Sequence, residues 1–438
     1  MHNRDIEQAK AVVSKLVEAG YPAYLVGGVV RDMLMGRPSS DIDIATAAPP
    51  EVVGALFKKT VTVGKDFGVV RVMESGRTYE VSTFRREGPY RDGRRPAWIS
   101  FASAQEDVTR RDFTVNGLLY DPVHDEVLDW VGGREDIERR VIRSIGAPEK
   151  RFTEDKLRML RAVRFAANLD FQIAEATGEA IRKMASQIGI VSGERIRDEL
   201  IKMLTGPHPD RGLLLLDETQ LLPPLLPEID AMKGVPQSER HHPEGDVFAH
   251  TVKILSFLKE PPVTLAFAAL LHDVGKPPTY DPKGSPVFPN HARVGARMAR
   301  EILDRLRFDR KTGERIAEAV ANHLRFLDVR QMGTSTLRRF LSREHFEEEL
   351  ELHRVDALAG SGDLTNWQFA TEKKQELERE PLPEPPLLGG NDLLALGFRP
   401  GPRLGRILKA VEEKRLEGSL RNRQEAEGWV KEHYPPED

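Results

Sequence analysis

The chain has 438 residues, too many for one ordinary core, and its length predicts two to four structural units. Apolar residues make up 39% and charged residues 31%, and no stretch approaches 18 uncharged apolar residues, which argues against a membrane span. A net charge of -4 excludes a uniformly basic nucleic-acid binder, and zero cysteines exclude disulfides, thiolate zinc sites and cysteine nucleophiles together. The opening MHNRDIEQAK enters a charged helix and carries no apolar signal core, so a cytoplasmic setting is expected.

Residues 5–19 alternate apolar and charged groups at helical spacing and predict an outer helix. The stretch LVGGVVRDMLMGRPSSDIDIAT, from Leu25 to Thr46, reads as a strand, a glycine pair, a helix bearing Arg31, a polar turn and a second strand. Asp41 and Asp43 on that second strand are two residues apart and share a face. Two adjacent carboxylates repel, and a divalent cation is the common reason to keep both; hard oxygen ligands near a phosphate suit Mg²⁺. Gly27 and Gly28 allow backbone N–H groups to approach an anion where a helix begins. Pro49 and Pro50 predict another helix start. In TYEVSTF, Glu80, Ser82 and Phe84 fall on one strand face, and Glu80 is a candidate third carboxylate.

GPYRDGRRPAWISF is a loop by its glycines and prolines, made basic by Arg91, Arg94 and Arg95 after Arg85 and Arg86. It reads either as a solvated loop or as one that touches triphosphate or RNA. RRDFTVNGLLYD gathers Arg111, Asp112 and Asn116 ahead of an apolar strand, residue types that clamp phosphates and reach a ribose hydroxyl. From Arg139 to Arg164 nine Lys/Arg stand against three acids, a local excess able to hold a phosphate backbone. Within it, RFTEDKLRMLRAVRFAANL predicts one amphipathic helix with Thr153 as its N-cap. Glu154 and Arg158 are four apart and would share a face, bordered by Asp155; alone this is a helical ion pair.

LVGGVVRDMLMGRPSSDIDIAT, EVSTFR, RRDFTVNGL and RFTEDKLRMLRAVRF resemble, in order, the motifs of class II tRNA nucleotidyltransferases, close kin of bacterial poly(A) polymerases. The resemblance covers roughly residues 20–205. It implies an α+β fold: a small polymerase-β-like nucleotidyltransferase head with a mixed sheet, then a mostly α-helical neck, body and tail. It implies metal ligation by Asp41 and Asp43 with help from Glu80. It also implies that Gly27, Gly28, Arg31, Arg111, Asp112 and Asn116 hold the triphosphate and sugar. The Glu154, Asp155 and Arg158 group would pair with the base, braced by Arg161 and Arg164. A carboxylate accepts from the exocyclic amine that CTP and ATP share, and UTP and GTP offer a carbonyl there. An unmet buried group costs about 1–3 kcal/mol, roughly ten- to hundredfold per bond. GERIRDELIKML near Ser192 resembles the closing motif of the neck.

Farther on come HHPEGDVFAHTVKIL, FAALLHDVGKP, FPNHARVGARMA, ANHLRF and HRVDALAGSGDL. His250, the pair His272 and Asp273, and Asp356 follow an H…HD…D order, a set that can enclose a transition metal or Mg²⁺. His291 and His323 lie between them and fit a second metal or a phosphate; Lys276 either faces a phosphate or caps a helix. This segment resembles the HD domain, an all-helical metal-dependent phosphohydrolase module holding Ni²⁺, Mn²⁺ or Mg²⁺. It reads as an active phosphohydrolase or as a helical body that holds tRNA. TEKKQELEREPLPEPP is a charged helix end and a stiff linker, after which Leu404, Ile407, Leu408 and Val411 form one apolar helix face.

The expected division is a head over 1–143, a neck and connection over 144–235, an HD domain over 236–365 and a helical tail over 366–438. The expected function is addition of C, C and A to tRNA 3′ ends from CTP and ATP, with no membrane and no stable protein partner. Poly(A) addition shares the motifs and stays open, as do CC-only and A-only addition; the full-length basic loop argues against CC-only. A phosphohydrolase with an RNA-binding head is the alternative of another class.

Overall fold

The structure is a computed structural model that describes residues 2–39, 42–63, 68–74, 76–88, 98–238, 245–281, 287–379 and 386–435. The chain forms two compact units: Met1–Lys233 with Leu255–Ala266 and Ile302–Phe308, and Gly234–Ile254 with Phe267–Glu301 and Asp309–Asp438.

The first unit is built on nine named strands: β1 (Ala23–Val26), β2 (Asp43–Thr46), β3 (Thr60–Val63), β4 (Val69–Glu74), β5 (Arg77–Thr83), β6 (Arg85–Glu87), β7 (Ile99–Phe101), β8 (Leu119–Asp121) and β9 (Glu126–Leu128). Seven make one sheet in the order β3-β4-β5-β2-β1-β8-β9, and β6 pairs with β7 alone. β2 runs parallel to β5 and antiparallel to β1, so the sheet is mixed, as expected for an α+β head. One face buries Leu25, Ile44, Val72, Tyr79 and Val81 against Ala9, Val12, Val13 and Leu16 of the His2–Glu18 helix. The apolar stripe predicted for residues 5–19 is therefore a wall of the core. Val26, Ala45, Phe84 and Leu119 form a smaller cluster closed by Val108 of the Ala104–Thr109 helix. Asp43 pairs in register with Val26, which puts it on this second side at the exposed end of β2. Tip residues 89–97 of the basic loop, Arg91, Arg94 and Arg95 among them, lie outside the described residues.

The remainder of the unit is helical apart from a short parallel pairing of Val141–Ile142 with Gln172–Ile173, and two expectations are corrected there. RFTEDKLRMLRAVRFAANL is two helices, Pro148–Glu154 and Leu157–Leu169, separated by Asp155 in an extended conformation. Asp155 Oδ1 accepts from Leu157 N at 3.1 Å, so the aspartate starts the second helix, and its carboxylate is pulled sideways by Arg195. Thr153 is no N-cap: its hydroxyl donates to Glu149 O one turn back. Leu157, Leu160 and Val163 are buried on the predicted stripe. The Gly193–Leu204 helix follows Ser192, and the segment 302–308 belongs here through Arg305, which clamps Glu228 at 2.6 and 2.8 Å.

The second unit is helical. Phe326, Phe340, Phe346 and Leu350 form one core cluster. In the tail, Ile407 and Val411 of the Pro402–Leu416 helix are buried with Leu393, Leu420 and Val430, and Leu404 and Leu408 pack beside them. Near the histidines, Gly275 lies so close to the Arg305-directed helix His291–Arg305 that an added Cβ would sit 2.2 Å from His291 O. That approach explains the glycine in HDVGKP. Among the described residues, no helix is long and apolar enough to cross a membrane.

Candidate active sites

In the first unit, a cavity of about 670 Å³ gathers residues from three sequence motifs: Gly27, Gly28, Arg31, Asp43, Arg111, Asp112, Asn116, Asp155, Arg158, Arg161 and Arg164. Gly27 holds φ +75, a left-handed conformation that favours glycine, and Arg111 Nη1 stands 3.4 Å from where its Cβ would be. The glycine pair thus brings backbone and guanidinium together at the start of the Gly28–Leu34 helix. Asp41 lies outside the described residues. Asp43 pairs in register with Glu80 on β5, so both point to the same side of the sheet. The Glu80 carboxylate, however, accepts two bonds from Arg71 at 2.9 and 3.0 Å, and Glu80 does not line the cavity.

The arginines are held by carboxylates. Arg31 donates to Asn116 Oδ1 at 2.7 Å and to Asp32 at 2.8 and 2.9 Å. Arg111 leans on Asp107, which also holds Arg110 and is 1% exposed. Burial alone would push the Asp107 carboxyl up; Arg110 and Arg111 hold it below its ordinary value. Asp112 meets Arg161 at 2.7 Å, and this pair keeps the buried Asp112 carboxyl down against its desolvation. Glu199, from the neck's closing motif, takes Arg164 at 2.5 Å and reaches Arg161 at 3.5 Å. Burial lowers the Arg164 pKa in spite of Glu199. The guanidiniums of Arg31, Arg161 and Arg164 lie 5.5, 5.2 and 4.0 Å from the Phe165 ring centre, within cation–π range.

The expected base-reading trio divides into two parts. Glu154 does not line the cavity; its Oε2 accepts from Arg158 at 2.7 Å and from Arg151 at 2.8 Å. Asp155 and Arg158 do line it, and Arg195 grips Asp155 through both oxygens at 2.7 and 3.2 Å. A carboxylate acceptor and a guanidinium donor therefore face the cavity side by side, each braced from behind. Asp107, Glu199 and Arg195 were not singled out by sequence reasoning. The signal for the last two was the GERIRDEL segment, which resembles the closing motif of the neck.

In the second unit, a cavity of about 470 Å³ is lined by Asp273, Lys276, His291, His323, His353 and Asp356, with Phe288, Leu324 and Leu327 on its apolar side. His250, His272 and Asp273 offer ligand atoms within 4.8 Å of one another, and so do Asp273, His291 and His323. Asp273 is common to both sets. His272, His291 and His323 each present Nδ1 to the carbonyl three residues back, at 2.9, 2.9 and 2.7 Å. A ring that donates from Nδ1 keeps the Nε2 lone pair for a ligand. Asp356 is expected to complete the set; it stands 3.0 Å from His250 Nε2, beside the two sets and not within either. Lys276 Nζ bonds Asp273 at 2.6 Å and Gln237 at 2.5 Å, so it is no simple helix cap.

The donor chemistry fits a metal ion. His291 Nε2 and His323 Nε2 face each other at 3.4 Å, although burial lowers both pKa values, that of His323 to about 4. Two neutral rings with Nδ1 donating would oppose lone pair to lone pair, and a cation relieves that. His272 Nε2 is buried without a hydrogen bond, 3.1 Å from Asp273 Oδ2. Burial raises the Asp273 pKa, but the interactions with His272 and Lys276 hold it well below the usual range, so it stays a carboxylate.

Three family models match the chain: the poly A polymerase head domain over residues 23–143, the probable RNA and SrmB-binding site of polymerase A over 170–233, and the HD domain over 246–360. The chain is 48% identical over 216 residues to a CCA-adding enzyme of Geobacillus stearothermophilus, a stretch covering 49% of this chain and about half, 53%, of that enzyme. It is 33% identical over 428 residues to a CCA-adding enzyme of Streptococcus thermophilus, covering 96% of this chain and 95% of the relative. Among solved structures, a Bacillus stearothermophilus CCA-adding enzyme in complex with CTP superposes with a TM-score of 0.76 at 30% identity, over 97% of this chain and 96% of that one.

Proposed function

The chain belongs to the CCA-adding enzyme family, and from that premise we propose that it extends tRNA 3′ ends with C, C and A from CTP and ATP. The observation that carries this reading is the convergence of Gly27, Asp43, Asp112, Asp155 and Arg158 on one cavity, although they span about 130 residues. The terminal 3′ oxygen of the RNA bonds to the α-phosphorus, the bond to the bridging oxygen breaks, and pyrophosphate leaves. The hydroxyl proton passes to solvent.

Asp43 and Asp41 would hold Mg²⁺, and Glu80, in register beside Asp43 but paired with Arg71, would be the third candidate ligand. Mg²⁺ at such a site supplies a lower hydroxyl pKa and offsets charge on the transferring phosphoryl group. Arg31 and Arg111 hold the triphosphate over Gly27 and Gly28, and Asp112 and Asn116 reach the sugar. Asp155 accepts from the exocyclic amine and Arg158 donates to the ring nitrogen or carbonyl; Glu154 braces Arg158, and Arg161 and Arg164 brace the site through Glu199. The cytoplasm, where tRNA and both triphosphates meet, is the compartment this reading requires.

The test offers the purified protein tRNA transcripts ending before CCA, after C and after CC, with labelled CTP or ATP. Addition that completes CCA and then stops supports the reading. Long adenosine tails on unrelated RNA would sink it in favour of poly(A) addition, and arrest after CC would make it a CC-adding enzyme.

A second activity is favoured by the opposed His291 and His323 nitrogens. The HD cavity holds a divalent ion, Mn²⁺ or Ni²⁺ suiting its imidazoles better than Mg²⁺, and hydrolyses phosphate esters. Water oxygen bonds to phosphorus, the ester P–O bond breaks, and the leaving oxygen takes a proton from the water. Metal-dependent hydrolysis of 2′-AMP or 2′,3′-cyclic AMP by wild type, lost in His272→Ala, is the expected result; equal rates in both would remove these ligands from the reaction.

A further inference from the structure

His353 sits three residues before Asp356 on the Phe346–Ala359 helix, in a position no metal-ligand pattern reserves. It is 4% exposed and lines the HD cavity, yet its Nε2 is buried without a hydrogen-bond partner. Leaving a buried polar atom unmet is costly, so an unmet atom in a cavity wall calls for a ligand. The ring is also held still. It stacks on Phe326 with centroids 4.8 Å apart and planes 7° from parallel, and Phe326 is itself fully buried. His353 belongs to neither group of possible metal ligands.

The cavity offers the rest of a phosphate-ester site. Lys276 supplies a buried cation, and Phe288, Leu324 and Leu327 supply an apolar side; Asn366 and Ser361 stand among the lining residues. About 470 Å³ lies within the range of small-molecule sites. We propose that His353 is a phosphate-binding residue of the HD site, its Nε2–H donating to a non-bridging oxygen of a phosphorylated nucleoside-sized substrate. This rests on the HD reading above. No proton is transferred: the ring donates a hydrogen bond and retains its hydrogen, while Phe326 fixes where that hydrogen points.

The test uses the full chain in an Asp43→Ala background, so that the head cation does not contribute. His353→Phe keeps a flat ring on Phe326 and removes the donor, and His353→Gln restores an N–H. Calorimetry with Mn²⁺ and then with inorganic phosphate is read beside hydrolysis of 2′-AMP. His353→Phe is expected to bind Mn²⁺ as wild type does, to lose about tenfold or more in phosphate affinity, and to raise KM. His353→Gln is expected to recover part of the phosphate affinity. Unchanged phosphate affinity in His353→Phe overturns the proposal while leaving the HD reading intact, and so does a parallel loss of Mn²⁺. If wild type binds Mn²⁺ but neither phosphate nor 2′-AMP, the HD reading fails and takes the proposal with it. Should His353→Phe not fold, His353→Met removes the same donor and is judged by the same outcomes.

Discussion

In the head cavity Arg31, Arg111, Arg158, Arg161, Arg164 and Arg195 each meet a carboxylate, on Asp32, Asp107, Glu154, Asp112, Glu199 and Asp155 respectively. In the HD cavity His291 faces His323 across 3.4 Å and His353 keeps a buried nitrogen without a hydrogen bond, as does His272 behind Asp273. The first site is organised by its own counter-charges, so its guanidiniums stand in place without a ligand. The second is organised around something the polypeptide does not supply. Preorganised donors and acceptors cost nothing to rearrange at the moment of reaction, whereas unmet ligands make a site that depends on loading.

The largest effect that would break this contrast comes from Asp43, the exposed carboxylate among those that line the head cavity. Asp43→Ala is expected to reduce nucleotide addition by more than about a hundredfold while leaving HD hydrolysis intact, with a magnitude typical of losing transition-state charge stabilisation. Transfer at the wild-type rate, measured in single turnover, would show that the cation does not sit there. Next comes Glu199. Glu199→Ala leaves Arg164 and Arg161 short of a buried partner, and removing one member of a buried pair costs about 3–5 kcal/mol. The expected outcome is a lower midpoint in urea for the first unit with weaker CTP and ATP binding; an unchanged midpoint would mean that solvent, not Glu199, satisfies the arginines.

A smaller effect concerns choice of base. Asp155→Asn replaces an acceptor-only carboxylate with an amide that can donate, and UTP should gain on CTP by about ten- to hundredfold. A CTP to UTP ratio equal to wild type would move base selection elsewhere. A last effect is in the pH dependence of the second unit. His323, with a pKa of about 4 against 6.5 unfolded, gives the metal-free protein stability that is complete above pH 6.5 and lost as pH falls toward 4. Glu349, pushed up by burial to about 7 from 4.5, acts in the opposite sense, its contribution complete below pH 4.5 and lost as pH rises through 7. Each shift corresponds to about 3 kcal/mol, so the two nearly cancel. Glu349→Gln should therefore make stability rise by about 3 kcal/mol more between pH 4 and 7 than in wild type, read by urea unfolding with chelator present. A profile that matches wild type would mean that Glu349 ionises in the folded state as it does in the unfolded chain.

The parts that can be read from sequence are those whose chemistry is local. The Asp43 strand, the glycine pair, the HD dipeptide and the helix stripe at Leu157, Leu160 and Val163 each announce themselves within a few residues. What escapes is the partner that arrives from far along the chain. Nothing near Asp155 indicates that Arg195, forty residues later, will pull it out of helical geometry and split one predicted helix into two. Glu199 reads as one more acid on an amphipathic helix until Arg161 and Arg164 are placed beside it. Asp107 reads as an ordinary helix-start carboxylate, though it carries two arginines of the site. His353 has no spacing to mark it, because its distinction is an unmet nitrogen and a stacked phenyl ring.

The first unit takes up the chain again at Leu255–Ala266 and Ile302–Phe308 after leaving it at Lys233. Arg305 in the last of these pieces clamps Glu228, and its carbonyl fills the space where Gly193 would carry a Cβ. A gene cut after codon 233 would thus encode a head and neck with Glu228 unclamped and Gly193 beside a gap. Excising the head and neck as a free-standing piece calls for a splice that carries the two later pieces with it, not a stop codon.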